Sequence, residues 1–400
     1  MKPRVVLSVG NFFFGIFATL VVYIILPYLT TFMPGAVAGL VIAAGAFIAC
    51  CIFPFLPQLV RHYGAQQLAL VFAVFEMLAL FALAAAPGAF AAAFFVAVAI
   101  AVQPLMAYEL DLLLEATVEE EGTTGRVRTL FLTAWNIAAL GAPLVTGALL
   151  ASGDAYARVF LAAAAALVPF LVLFAARTLP RGAAPRLAKM RETLRCVVRD
   201  RDLLAVSIGH LLLYLFYVWA PFYVPVYLHE VLGIPWSELG WLFSLMLVPF
   251  VLIEYPAGWI ADKFLGDQEM MFAGFVLMGA SLAFVGLMTP ATPLAAIAAT
   301  LIVSRAGAAL VESMTEGHFF RRVSEKDVNS VSIFRGIWPL ADLVAPLLGS
   351  LLLLMAGYEV FFFITGGFLL VAGVVTTLFI RDFAPHAHTR AIVPPTPGAS

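Results

Sequence analysis

Residues 131–150, FLTAWNIAALGAPLVTGALL, and residues 334–353, FRGIWPLADLVAPLLGSLLL, are one pattern written twice. At an offset of 203, nine of the twenty positions are identical. Leu and Ala matches arise easily in so apolar a chain, but Trp135/Trp338 and Pro143/Pro346 do not, and their spacing is kept. A second match lies at offset 201, where Asp111 and Glu115 correspond to Glu312 and Glu316. Each pair is spaced i, i+4 and shares one helix face. A third places Pro57–Gly64 (PQLVRHYG) against Gly258–Gly266 (GWIADKFLG), with one extra residue in the second copy. Offsets near half of 400 residues imply two similar halves.

Composition says what the halves are made of. Hydrophobic residues make up 63% and charged residues 12%, with a mean hydropathy of +1.03. Soluble domains run at about 45–50% apolar and about 25% charged, so soluble enzymes, nucleic-acid binders and disordered scaffolds are excluded. A spanning helix takes about 20 residues, and apolar runs of that length fall near 5–29, 36–56, 67–86, 89–112, 129–151, 157–176, 203–228, 238–260, 270–288, 291–313, 331–355 and 358–380. Barrel strands are shorter and alternate; these runs do neither. The expected fold is an all-α polytopic membrane protein of twelve transmembrane helices in two six-helix repeats. Six is even, so both repeats enter the membrane in the same direction, around an axis along the membrane normal.

The basic residues set the orientation. With the N-terminus in the cytoplasm, 19 of the 22 Lys and Arg fall in inside segments. Arg158 falls outside, and Arg305 and Arg335 lie within spans. Both termini are therefore expected inside, in a bacterial-type inner or plasma membrane. The run Val5–Leu29 is too long for a signal-peptide core and reads as a retained first span. The expected division is an N-terminal bundle over 1–176, a cytoplasmic basic linker over 177–202, a C-terminal bundle over 203–380 and a disordered tail over 381–400. Part of the linker, about 186–201, has the pattern of a basic amphipathic helix on the inner leaflet. Cys50, Cys51 and Cys196 give no disulfide framework and no metal spacing.

The segment Gly258-Trp259-Ile260-Ala261-Asp262-Lys263-Phe264-Leu265-Gly266 resembles, with one inserted residue, the signature loop of the major facilitator superfamily, Gly-x-Leu-Ala-Asp-x-x-Gly followed by basic residues. In the first copy Pro57 replaces the first Gly and Arg61 the Asp, while Gly64 remains. Gly141-Ala142-Pro143 and Gly147 are similar to part of the Gly-Pro motif of that family's proton-driven antiporters. The resemblance covers about residues 5–380. It implies that Asp262 latches the inner face by meeting a helix N-terminus of the opposite half, where the dipole favours an anion, with Gly258, Lys263 and Gly266 shaping the loop. Without an Asp at position 61, Arg61 is left to pair with Glu115 or Asp111.

The resemblance also implies that helices 1, 2, 4, 5, 7, 8, 10 and 11 border a central cavity. Ionisable residues at membrane depth are costly and normally face a cavity or a partner. Glu109 and Asp111 fall on helix 4, His210 on helix 7, Glu254 on helix 8, Arg305 on helix 10, and Arg335 and Asp342 on helix 11. Glu76, on outer helix 3, reads as structural. Asp342 and Arg335 correspond to Ala139 and Leu132 in the first half, so symmetry does not require them. Two readings stand. Either Asp342, Glu254 and Arg305 form an acid–base cluster coupled to substrate movement, or Arg305–Glu254 and Arg335–Asp342 are structural ion pairs. Asp111/Glu115 and Glu312/Glu316 are expected as inner-gate salt bridges. Asn11, Gln103 and Asn136 offer hydrogen bonds, helix 7 is dense in aromatics from Tyr214 through Tyr217 to Tyr227, and Trp338 of helix 11 is a further cavity candidate. Such rings either line a pocket or anchor helix ends.

The function expected is secondary active transport of a small organic solute, coupled to H+, with a leaning to efflux of amphipathic compounds by antiport. Uptake of a sugar, carboxylate or nucleoside by symport is the alternative. His-Glu-x-x-His, Gly-x-Ser-x-Gly and P-loop patterns are absent from the sequence, which sets aside a polytopic enzyme and an ATP-driven pump. A membrane scaffold would need an extramembrane domain. The expected partners are the substrate, H+ and the lipid bilayer, with no nucleic acid, no cofactor and no metal, and the protein is expected to be a monomer.

Overall fold

The structure is a computed structural model that describes residues 3–85, 88–117, 124–180, 190–323 and 328–381. The side chains at 124–129, 190, 191, 254, 255, 262, 328, 329, 331 and 332 lie outside the description. So do Lys2, Arg126, Arg128, Arg181, Arg186, Lys189, Arg191, Lys326 and Arg390, all counted above toward the expected orientation, and the tail beyond residue 381.

Among the described residues, 12 helices are long and apolar enough to cross a membrane. They are α1 Pro3–Thr30, α2 Gly35–Tyr63, α3 Ala65–Ala84, α4 Ala89–Glu115, α5 Leu130–Leu150, α6 Tyr156–Ala175, α7 Arg201–Val231, α8 Trp236–Ile253, α9 Asp267–Val285, α10 Leu294–Arg322, α11 Ile333–Met355 and α12 Tyr358–Thr377. No strand occurs among the described residues. Each sequence-derived span meets one helix. The largest difference is α10, which runs on to Arg322 rather than ending near 313. Its last turns carry Glu316, His318, Arg321 and Arg322, and polar side chains at a helix end do not break backbone bonds. Within the linker a helix covers Met190–Arg199, shorter than the stretch expected to be amphipathic.

The large exposed side chains are apolar, among them Phe90 at 86% and Met355 at 78%. A surface of that kind is stable only against lipid. Irregularities follow the prolines. A proline cannot donate to the carbonyl four residues back. The helical path breaks at Tyr23-Ile24 before Pro27, at Leu247 before Pro249 and at Gly336 before Pro339.

Helix α1 packs on α5 and α6, and α3 on α4 and α6. In the second half α9 packs between α10 and α12, and α7 on α11. The repeated tryptophans do equivalent work: Trp135 of α5 lies 5.5 Å from Phe14 of α1, and Trp338 of α11 lies 6.3 Å from Tyr214 of α7. The halves meet along α2–α11 and α5–α8. Gln66 of α3 ties down the end of α6. Its Nε2 donates to the Phe174 carbonyl at 2.6 Å and its Oε1 accepts from the Leu179 N–H at 2.9 Å.

Candidate functional site

A cavity of about 550 Å³ lies between the two sets of six helices. From the first half it is lined by Asn11, Gln103, Asp111 and Asn136, together with Tyr23 and Trp135. From the second it is lined by Tyr217, Arg305, Glu312, Glu316, Arg335, Trp338 and Asp342. Eleven of the residues singled out in the sequence thus share one wall-to-wall space.

Their pairings differ from those expected. Arg335 does not pair with Asp342; its guanidinium forks onto Glu316, with Nη2–Oε2 at 3.1 Å and a second bond from Nη1 to Oε1. Two parallel bonds give this pair a fixed geometry. Glu312 accepts a hydrogen bond from the Tyr217 hydroxyl. Asp342 lies one turn after Trp338 on α11, and both line the cavity. Arg305 is 3% exposed, has the Tyr23 and Tyr217 hydroxyls nearby and lies 4.8 Å from the Phe216 ring. The Glu254 side chain, its proposed partner, lies outside the described residues. Asn11 is spent on the Phe131 carbonyl at 2.9 Å and fastens α1 to α5.

Other candidates fall elsewhere. Glu109 is fully buried, does not line the cavity, and neither carboxyl oxygen has a hydrogen-bond partner. Its neighbours Leu110 and Asp111 line the cavity instead. Glu76 is buried in the same unpartnered way. His210 is outside the cavity lining; it stacks on Phe334 at 4.0 Å, and its Nδ1 meets Thr315 Oγ1 at 3.1 Å. Of the helix 7 aromatics, Tyr214, Tyr217 and Phe222 line the cavity, while Phe216, Trp219, Tyr223 and Tyr227 are buried in helix packing.

In the signature loops, Arg61 is exposed, and no ion pair joins it to Asp111 or Glu115 among the described residues. Gly64 turns the chain between α2 and α3 at φ +86°, a conformation that favours glycine. Gly258 has open space around it, so it is not there for close packing. Lys263 rests 4.9 Å from the Trp259 ring, and the Gly266 N–H donates to Glu269 at 3.0 Å. The Asp262 side chain, the expected latch, lies outside the described residues.

The end of the cavity remote from the chain termini is closed by contacts not foreseen in the sequence. Asp154, between α5 and α6, meets His229 Nε2 and Trp236 Nε1 of the second half, each at 3.0 Å. His229 Nδ1 faces the Ile234 carbonyl at 2.8 Å, so both ring nitrogens face acceptors. Thr30 Oγ1 bonds Glu230 at 2.5 Å. Two helix crossings lie just inside this seal. A Cβ on Gly147 of α5 would come within 2.7 Å of the Gly240 Cα of α8, and one on Gly240 within 2.8 Å of the Pro143 carbonyl oxygen. The counterpart of Gly240 at offset 201 is Gly39 of α2, which faces Pro346 and Ser350 of α11. The duplicated Ala-Pro elements thus each receive a glycine of the opposite half. At mid-depth Ser244 Oγ donates to the Leu140 carbonyl at 2.6 Å. Toward the terminus-bearing end Cys50 Sγ of α2 donates to the Pro339 carbonyl of α11 at 3.5 Å.

A sequence profile described as Major Facilitator Superfamily matches residues 206–397. The second half of the chain thus carries the sequence of that superfamily. Solved structures share its fold. The peptide transporter POT in complex with sulfate is 14% identical, with a TM-score of 0.73 over 94% of this chain and 94% of that one. The nucleoside transporter NupG is 13% identical, with a TM-score of 0.74 over 95% of this chain and 100% of that one. No curated protein matches the sequence significantly. The chain is thus an integral membrane protein, with superfamily sequence in its second half and superfamily fold throughout.

Proposed function

We propose that this chain is a secondary active transporter that moves a small organic solute by alternating access, coupled to H+, and that it favours export of amphipathic compounds by antiport. One observation carries the reading: a polar-and-aromatic cavity lies between the halves, and hydrogen bonds between those halves close it at the end remote from the chain termini. Rocking the halves about the α2–α11 and α5–α8 crossings opens the far end and closes the other. The Gly-Pro element of α5 lies at one of these pivots, through Pro143 and Gly147.

Asp342 is the coupling carboxyl in this reading. It lines the cavity from α11, it has no equivalent in the first half, and no ion pair holds it among the described residues. Asp342→Asn keeps the shape and removes the titration. The expected result is loss of pH-gradient-driven accumulation with solute exchange retained, a fall of about 5–150-fold, the range of a coupling energy of about 1–3 kcal/mol. Full gradient-driven transport by the variant in proteoliposomes would remove Asp342 from that role.

A further inference from the structure

We infer that the cavity takes an amphipathic organic anion whose carboxylate, phosphate or sulfonate group binds Arg305. This names the substrate class and rests on the transport reading above. Arg305 lines the cavity from α10 at 3% exposure. Its neighbours, the Tyr23 and Tyr217 hydroxyls and the Phe216 face, carry no charge. Its Nη1 is buried and has no hydrogen-bond partner. Two acids of the cavity lining are engaged elsewhere: Glu312 by Tyr217 and Glu316 by Arg335.

A buried charge costs several kcal/mol without a counter-charge; none pairs with Arg305 among the described residues, and the repeat does not call for this charge. The counterpart of Arg305 at offset 201 is Pro104. A cation that is expensive, dispensable to the helix pattern and set in the cavity wall with one nitrogen unsatisfied among the described residues is arranged for an incoming anion. The planar guanidinium suits a carboxylate or phosphate edge. Tyr23, Phe222 and Phe250 supply an apolar wall for the rest of the molecule. A volume of about 550 Å³ holds an organic solute of modest size. Tyr23 is presented from the first half at the break before Pro27, so a bound anion on Arg305 is felt by both halves.

The test is binding to the purified full-length chain, by isothermal titration, of three matched sets: 4-phenylbutyrate, phenyl phosphate and a long-chain alkylsulfonate, each beside a neutral analogue of the same body and an amine analogue. The anions are expected to bind more tightly than their analogues. Arg305→Gln is expected to weaken them about 10- to 150-fold, the range for a hydrogen bond to a charged group, with binding of the neutral analogues unchanged. Arg305→Lys is expected to fall between. Should the glutamine variant fail to fold, the wild-type comparison of anion with neutral analogue decides. The inference is overturned if the neutral or amine analogues bind as well as the anions, if no anion binds at millimolar concentration, or if Arg305→Gln leaves anion binding intact, as it would were Glu254 already answering the arginine. The same compounds in proteoliposomes separate the two claims. Anions that bind but never cross defeat the transport reading alone, while transport confined to neutral or cationic analogues defeats this inference alone.

Discussion

Leucine in place of Gly240 is expected to force the two halves apart at the remote end. At this crossing the nearest atoms to an added Cβ are backbone: the Pro143 carbonyl oxygen and the Gly147 Cα, each at 2.8 Å. No side-chain rotation relieves such a clash, so the helices must separate. Overpacking of this sort costs about 1–3 kcal/mol even in cores that adjust, enough to shift a two-state equilibrium by about 5–150-fold. With spin labels on Thr30→Cys and Glu230→Cys, which replace the hydrogen-bonded pair of the seal, the distance distribution is expected to lengthen in the Gly240→Leu background. Gly141→Leu is the control. It lies on the same helix as Gly147 but in open space, and it should leave the distances alone. An unchanged distribution in Gly240→Leu would show that this crossing does not set the separation of the halves.

The second large effect lies outside the cavity. His318 of α10 is fully buried, with Nδ1 2.8 Å from Asp267 of α9 and Nε2 2.9 Å from Asp202 of α7. Both ring nitrogens face carboxylate oxygens, so the ring serves them as a two-sided donor. Arg321 and Arg322 bond the same two acids from the rim, and Asp202 also accepts the Arg381 backbone N–H at 2.8 Å, just past α12. One imidazole ties three helices together, and Asp202 adds the end of α12 to them. His318→Ala leaves two buried carboxylates short of a partner, which costs about 3–5 kcal/mol. The expected result is a clear drop in the thermal midpoint of the purified protein and in its folded yield. His318→Gln, which keeps one N–H donor, should recover part of the loss. A midpoint equal to wild type in His318→Ala would show that the arginines alone satisfy both acids.

The fold was legible in the sequence because lipid imposes it. Twelve apolar runs and a half-length repeat leave one arrangement, and all twelve runs became helices. Helix azimuth was not legible. In α4 apolar residues occupy every face, so the pattern does not say that Asp111 turns toward the cavity and Glu109 away from it. Ion-pair partners were equally hidden. Arg335 is seven residues from Asp342 on its own helix, but its partner Glu316 comes from α10, a choice made by helix packing. Gly39 and Gly240 stand at the repeat offset and were visible in principle, yet a glycine pair among 30 glycines carries little signal without the backbone opposite. Asp154, His229, Asp202, Asp267 and His318 lie near helix ends, where sequence patterning marks topology rather than contacts.

The most direct test of transport through this cavity is solute uptake into proteoliposomes of the purified chain, over a panel of organic anions, sugars, nucleosides and cationic amphiphiles, with and without an imposed pH gradient. The account predicts that at least one solute crosses, that the gradient changes its accumulation, and that Asp342→Asn removes the gradient's effect while exchange persists. No movement of any solute under either condition, in protein whose thermal unfolding shows it to be folded, would contradict it.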